Sequence, residues 1–329
     1  MTQKIKILFI SNEPITDFIK TDLEILQRYF DVIPHRWTRT RDIKNMLRVI
    51  WYIFRTDLSF IWFAGGHAAR VVFLSKLFRK KSIVVVGGYE VANVPEINYG
   101  LMLNPKSARR VKYVLENADK ILAVSEFSKK EILKHANHRN TELVYNGVSC
   151  DKFKPKRKKE DLVITVSVGN SWKVVTLKGL DTFVKSAEFL SDVKFLVIGI
   201  QGDALRRLQN ISPPNVEFIN PLPQDELIPY YQKAKVYCQL SYRESFGVAL
   251  AEAMACECVP VVTNKGALPE VVGDTGFYVP YGDPKATAEA IKEALKSDKG
   301  KEARKRIKTM FPIKRRERKL IQIVNKLAK

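Results

Sequence analysis

The chain has 329 residues, of which 46% are hydrophobic, and a net charge of +21. That length and apolar content predict a globular protein with room for two domains and exclude an intrinsically disordered chain. Apolar runs are broken by charge well short of ~20 residues, which excludes a spanning helix.

Four cysteines, Cys150, Cys238, Cys256 and Cys258, form no C-x-x-C pair and predict reduced thiols in a cytosolic protein. The charge is uneven. Residues 35–81 hold 11 Lys or Arg against two acids, and residues 296–329 hold 14 against three. Such blocks are ordinarily solvated faces, but two concentrated ones predict an anionic partner. They lack zinc spacing and an aromatic–basic RNA pattern, which argues against nucleic acid.

In chain order, MTQKIKILFI reads as a first strand and not a leader, because its apolar run ends at Asn12 and Glu13. KIKILFI, LSFIWFA, SIVVVGG, KILAV and ELVY alternate with helix-like stretches, as buried parallel strands do. SNEPITDF is then a polar loop at a strand's carboxyl end, where open α/β sheets bind ligands, with Ser11 and Asn12 as candidates. Residues 41–55, RDIKNMLRVIWYIFR, predict an amphipathic helix with a wide apolar face and basic residues at 41, 44, 48 and 55. Its ordinary role is packing on the sheet, although a basic, Trp-bearing helix also suits a membrane surface. Gly65-Gly66-His67 follows a strand and opens a helix. A lone histidine there is more often structural than catalytic, yet its place past a strand end makes His67 a candidate. GGYE at 87–90 and AVSEFSKKEI follow.

YNGVSCDKFKPKRKKED combines the turn chemistry of Asn146-Gly147 with a charged run, and marks a domain boundary. A second series follows: LVITVSV, VKFLVIG, VEFI, KVYCQL and CVPVV. VSVGNSWKVVTLKG predicts a strand and then a phosphate-facing loop whose polar residues are Asn170, Lys173 and Lys178. His135 and His138 lack carboxylate company, and no metal site is expected.

SYRESFGVALAEAMACECVP, 241–260, organises the rest. Glu244 sits in a polar turn after the strand KVYCQL, and Glu252 sits in VALAEAMAC, rich in helix-favouring Ala, Leu and Met. Gly247 is a boundary residue, so a helix starting near it leaves Glu244 ahead of the helix and Glu252 about one turn inside. The N–H groups of Gly247, Val248 and Ala249 would open toward the same crevice, a site suited to phosphate. An anion between two carboxylates suits a ligand that carries phosphate and hydroxyls, as a sugar nucleotide does. The helix ends at Glu257 without a glycine cap.

The pattern S-x-x-E-S-F-G-x-x-x-x-E-A-M-A, followed by P-V-V, closely resembles the signature of the family-4 retaining glycosyltransferases. The likeness covers nearly the whole chain and is strongest from 142 to 282, where the linker N-G-V-x-x-x-x-F-x-P, FINPLP, ALPEVV and GFYV agree in order. It implies the GT-B fold, an α/β architecture of two Rossmann-like domains facing a cleft. Residues 1–149 would form the acceptor-side domain, with Ser11, Asn12 and Glu90 near the acceptor, and 150–310 the nucleotide-sugar domain. A helix within 311–329 would cross back to the first domain.

The resemblance implies transfer from a nucleotide diphosphate sugar (UDP- or GDP-sugar) with retention and without a metal. Lys178 and the amides near Gly247 would take the phosphate charge. Glu252 would accept ribose hydroxyls and Glu244 sugar hydroxyls, while Phe246, Gly247 and Val248 bring backbone to the sugar. Amides near Leu222 would meet the base, and Lys173 would assist at the diphosphate. The resemblance also implies an acid role for Glu90 in GGYE, a helix-cap or phosphate-contact role for Ser125 in AVSEFSKKEI, and a strand-end loop in VIGIQGD whose Gly199 lets backbone approach a ligand. In relatives the leaving phosphate is thought to take the acceptor's proton, which explains the missing obvious base. The chain departs from the pattern where Gly87 replaces a frequent histidine and Asn170 a frequent arginine. The acceptor would be a glycan, free or lipid-linked, reached from the cytoplasmic face of an anionic membrane. The alternatives are a non-catalytic sugar-nucleotide or glycan binder and a nucleotide-sugar epimerase of the same fold.

Overall fold

The computed structural model describes residues 4–12, 16–37, 43–135 and 140–328. Arg41 and His138 lie outside the described residues. The elements are β1 (Lys6–Asn12), α1 (Asp17–Tyr29), β2 (Asp31–Trp37), α2 (Ile43–Arg55), β3 (Leu58–Trp62), α3 (Gly66–Leu77), β4 (Lys81–Val86), α4 (Pro105–Asn117), β5 (Lys120–Ala123), α5 (Glu126–Leu133) and β6 (Thr141–Leu143). They continue as β7 (Glu160–Gly169), α6 (Trp172–Lys178), α7 (Leu180–Ser186), β8 (Lys194–Ile200), α8 (Gly202–Gln209), β9 (Val216–Ile219), α9 (Gln224–Lys233), β10 (Ala234–Gln239), α10 (Val248–Ala255), β11 (Val259–Thr263), α11 (Leu268–Val272), β12 (Phe277–Val279), α12 (Pro284–Lys296), α13 (Lys299–Met310) and α14 (Ile313–Leu327). The chain forms two compact units, Met1–Asn146 with Lys314–Lys329, and Gly147–Ile313.

The first unit is a six-stranded parallel sheet in the order β2-β1-β3-β4-β5-β6. Its central strands are almost wholly apolar and buried, from Leu58 to Trp62 and from Ser82 to Val86, because helices cover both faces. Edge strand β2 departs from that composition. It carries Pro34, His35 and Arg36 and pairs only with β1, which is where a sheet tolerates proline. Its polar sequence is why the apolar-run reading passes over it. Ser11 and Asn12 were expected in the loop after the first strand. They are instead its last two residues, paired with Arg36 and Trp37, because β2 runs far enough to keep them in the ladder.

Helix α14 packs within this unit through a buried ion pair. Arg316 donates from Nε to Asp22 Oδ1 and from Nη2 to Asp22 Oδ2, each at 2.6 Å. Its Nη1 donates to the carbonyls of Val144 and Tyr145. Trp62 Nε1 completes the set by donating to Asp22 Oδ2 at 3.1 Å. Asp22 is fully buried and Arg316 is 3% exposed, so this bidentate arrangement, with backbone taking the remaining donors, offsets a large desolvation cost.

The second unit has the sheet order β12-β11-β10-β7-β8-β9, all parallel. Counted from β7, this is the doubly wound order 3-2-1-4-5-6, whose direction reverses between β7 and β10. Gly147 lies against the end of the unit. A Cβ there would stand 2.7 Å from Ile313 Cα, and Val148 N–H donates to Phe311 O at 2.9 Å. At the other end of α10, Glu257 adopts φ 67°, the left-handed conformation usually left to glycine. Glu257→Gly is expected to raise stability by about 1 kcal/mol by relieving that conformation, read as a higher thermal midpoint.

Candidate active site

Open α/β sheets bind ligands at the carboxyl ends of strands flanking the point where strand order reverses. In the second unit those ends are Gly169 of β7 and Gln239 of β10. The chain leaving β7 was expected to form a loop through Lys178. It instead turns at Asn170 and Ser171 and forms the two-turn helix α6. Val175 and Leu177 are buried, and this apolar pair makes a helix where the polar neighbours read as loop. Lys173 lies exposed in its first turn, Asn170 is exposed just ahead of it, and Lys178 is its last residue.

The end of α6 is fastened to the segment that follows β10. Gly179 has φ 64°, and a Cβ there would stand 2.1 Å from Leu240 O, so only glycine permits this approach. Tyr242 N–H donates to Leu177 O at 2.8 Å. The result is contact between two residues singled out for different roles: Lys178 Nζ donates to Glu244 Oε2 at 2.7 Å. The pair is partly open, with side-chain exposures of 26% and 15%.

Glu244 is further held by residues that its motif does not include. Ser245 N–H donates to its Oε1 at 3.2 Å. Gln239 Nε2 donates to Ser241 Oγ at 2.8 Å and lies 3.5 Å from Glu244 Oε2, while Tyr237 OH donates to Gln239 Oε1. Gly266 lies under the Glu244 backbone: its φ is 60°, and a Cβ would stand 2.2 Å from Glu244 O. Gln239 and Gly266 were missed from sequence, although an amide at a strand's carboxyl end and a Lys-Gly turn before a helix were visible signals.

Helix α10 begins at Gly247, whose φ of 87° and ψ of 64° turn the chain without a side-chain cap. The first bond back to this residue is Ala251 N–H to Gly247 O, so the amides of Val248, Ala249 and Leu250 precede the intrahelical ladder. Val248 and Ala249 are partly exposed, and such a terminus favours an anion. Phe246 is buried and packs edge-on against Phe311, with ring centres 5.4 Å apart, so its side chain anchors the turn. Glu252, one turn into the helix, is 5% exposed. Gln224 Nε2 donates to its Oε1 at 2.5 Å, and Gln224 Oε1 in turn accepts from Lys152 Nζ at 2.7 Å. Leu222 lies half-buried two residues before Gln224.

Gly199 has φ 106° within β8, and a Cβ there would stand 2.7 Å from Ser167 O. The neighbouring strand thus accounts for that glycine, in place of the ligand approach expected for it.

The first unit reverses strand order between β1 and β3. Ser11 is buried there and Asn12 half-buried. After β3, His67 is 4% exposed on the first turn of α3, and its Nε2–H donates to Trp62 O at 2.9 Å. Burial lowers its pKa to about 4, so the imidazole is neutral at neutral pH and Nδ1 carries the lone pair. Phe63, two residues before the helix cap, has φ 69°, unusual for an aromatic residue.

The expectation of an acceptor-facing Glu90 meets a different geometry. Its carboxylate is 2% exposed and accepts from the N–H groups of Ala64, Gly87 and Gly88 at 3.1, 3.1 and 2.8 Å. Burial raises its pKa while those amides lower it. Glu90 therefore ties the ends of β3 and β4 together. Gly87 leaves room for the Phe63 ring, since a Cβ would stand 2.5 Å from Phe63 Cε1. Ser125 is buried and caps α5 by accepting from Ser128 N–H. Among the described residues no cluster of His, Cys, Asp or Glu could hold a metal ion.

Residues 150–310 match the family described as Glycosyl transferases group 1. Residues 150–310 belong to the group 1 glycosyltransferases. The capsular polysaccharide biosynthesis glycosyltransferase CapM of Staphylococcus aureus is 28% identical over 334 aligned positions, covering 89% of this chain and 85% of CapM. The O-antigen chain mannosyltransferase B of Escherichia coli is 26% identical over 219 positions, covering 59% of this chain and 58% of that protein. The chain thus spans little more than half of that relative. Among solved structures, Anabaena HepE in complex with UDP-glucose superposes with a TM-score of 0.82 over 98% of this chain and 100% of HepE, at 16% identity. This likeness shows the fold: the group 1 enzyme has the GT-B architecture of two parallel Rossmann-like sheets with C-terminal helices.

Proposed function

We propose that this group 1 glycosyltransferase moves a sugar, with retention, from a nucleotide diphosphate sugar to a glycan acceptor carried on a lipid at an anionic membrane. The observation that carries the donor half is the convergence of Lys178, Glu244 and the α10 amides at the strand-order reversal of the second unit. A diphosphate leaving group develops negative charge as the sugar bond breaks. Lys178 and the N–H groups of Val248 and Ala249 supply fixed positive charge for it. Glu244, held from behind by Ser245 and Gln239, has a carboxylate ready for the sugar hydroxyls. Glu252 takes the ribose hydroxyls, with Gln224 setting its carboxylate plane. The relatives support a cell-envelope glycan: one is named for capsular polysaccharide and another for O-antigen. HepE, of the same fold, was crystallised with UDP-glucose, which supports a UDP-sugar donor here. No helix among the described residues is long and apolar enough to cross a membrane, so the membrane half of the reading rests on the basic blocks.

The test is a turnover screen of UDP-, GDP- and ADP-sugars combined with a binding comparison. Hydrogen bonds to a charged group contribute about 1.5–3 kcal/mol. Glu252→Ala is therefore expected to weaken both donor and free nucleotide diphosphate by about ten- to a hundredfold. Glu244→Ala should weaken the donor and slow turnover while leaving free nucleotide nearly unaffected. Equal losses for both ligands in both variants would remove this division of labour.

A further inference from the structure

Helices α2, α3 and α4 of the first unit border a cavity of about 530 Å³. This size lies in the range of small-molecule pockets. Met46, Phe73, Leu74 and Tyr113 give it apolar walls. Two cations share its lining with them: Arg70 from α3 and Arg110 from α4. Their terminal nitrogens converge over Gly66, where a Cβ would stand 3.5 Å from Arg110 Nη1 and 3.9 Å from Arg70 Nη1. Arg70 also donates to Gly66 O at 3.2 Å, and among the described residues neither guanidinium has a carboxylate partner.

The surface beside the cavity is apolar to an extent that soluble faces rarely are. Helix α2 was expected to carry a wide apolar face, for the sheet or for a membrane surface. It buries only Asn45, Val49 and Ile53. Ile43, Leu47, Trp51 and Phe54 are 76, 60, 53 and 57% exposed and follow one another along the helix at spacings of four, four and three. Phe73 and Leu77 of α3 are 55 and 61% exposed. Lys44, Arg48 and Arg55 are exposed on α2, with the Arg55 guanidinium 4.4 Å over the Trp51 ring.

An apolar stripe flanked by cations lies in the plane of a lipid interface, with its apolar side chains in the acyl boundary. A cavity with apolar walls and two unneutralised guanidinium groups complements a hydrocarbon chain ending in a phosphate. We propose that this cavity takes one chain of an anionic lipid, with its phosphate on Arg70 and Arg110, while Leu47 and Trp51 enter the bilayer interface. The assignment rests on the membrane-acceptor reading above and gives that reading a location.

Co-sedimentation with vesicles of phosphatidylcholine, alone or mixed with phosphatidylglycerol, tests it together with the fluorescence of Trp51. The wild-type chain is expected to prefer the mixed vesicles, with a blue shift that Trp51→Phe abolishes. Arg70→Gln/Arg110→Gln should weaken binding about thirtyfold, at about fivefold for each charge near an anionic surface. Leu47→Glu/Trp51→Glu should remove it. Both pairs replace surface side chains, and unchanged thermal unfolding controls for the fold. If the wild type binds and either pair binds equally well, this site is overturned while the membrane reading stands. Equal binding to both vesicle types overturns the phosphate assignment. No binding to either overturns the membrane reading along with the site. A dimer in sedimentation velocity that Leu47→Glu abolishes, without vesicle binding, gives the face to a second copy and overturns the lipid.

Discussion

Lys178→Ala is expected to lower donor turnover by about a hundred- to a thousandfold, the usual loss when one fixed donor to a developing oxyanion is removed. Stability should hardly change. Lys178 and Glu244 are partly solvated, and exposed pairs of this kind are worth about 1 kcal/mol or less. The variant also leaves Glu244 with the Ser245 amide and the Gln239 side chain. A large kinetic loss with an unmoved unfolding midpoint therefore separates charge stabilisation from scaffold. Turnover within a few-fold of wild type would give the diphosphate to another group, with Lys173 in the first turn of α6 as the next to test.

Arg316→Ala is expected to cost about 3–5 kcal/mol, because it strands the fully buried Asp22 carboxylate without its bidentate partner. Two carbonyls, Val144 O and Tyr145 O, lose their donor as well. Denaturant unfolding should show the loss in the first unit, and Trp62, bonded to Asp22, is placed to report it. The double variant Asp22→Leu/Arg316→Met should recover much of the loss, since replacing both members of a buried pair with apolar groups is often neutral or stabilising. A cost below about 1 kcal/mol for Arg316→Ala would mean that the pair is not what docks α14.

The sequence made the sheets legible because buried parallel strands are apolar along their whole length. KIKILFI, SIVVVGG, VKFLVIG and KVYCQL each overlap a strand. Strand β2 was hidden by Pro34, His35 and Arg36, which only an edge allows. Glu244, Gly247 and Glu252 could be placed because a glycine boundary between a polar turn and an Ala-rich run fixes where the helix begins. Their partners could not. Gln239 and Gly266 carried local signals, a strand-end amide and a Lys-Gly turn, but those signals do not say which side chain they meet, and Gln224 reaches Glu252 from 28 residues away. Lys178 was found, but its helix was not, since seven residues give too little periodicity to outweigh their polar flank. For residues 41–55 the apolar face was legible, but not how it divides between the core and the surface. Periodicity reports that a helix has an apolar face, and only packing shows how much of that face is covered.

Transfer of a sugar from a nucleotide diphosphate donor with its anomeric configuration kept leaves its record in the product. The most direct measurement is the one-bond carbon–proton NMR coupling at the anomeric carbon of the new glycosidic bond, formed from an α-linked donor and a glycan-lipid acceptor extract. An α-linked product is expected, together with nucleotide diphosphate release that Lys178→Ala suppresses. A β-linked product, or tight donor binding with no release under any acceptor extract, would contradict that transfer.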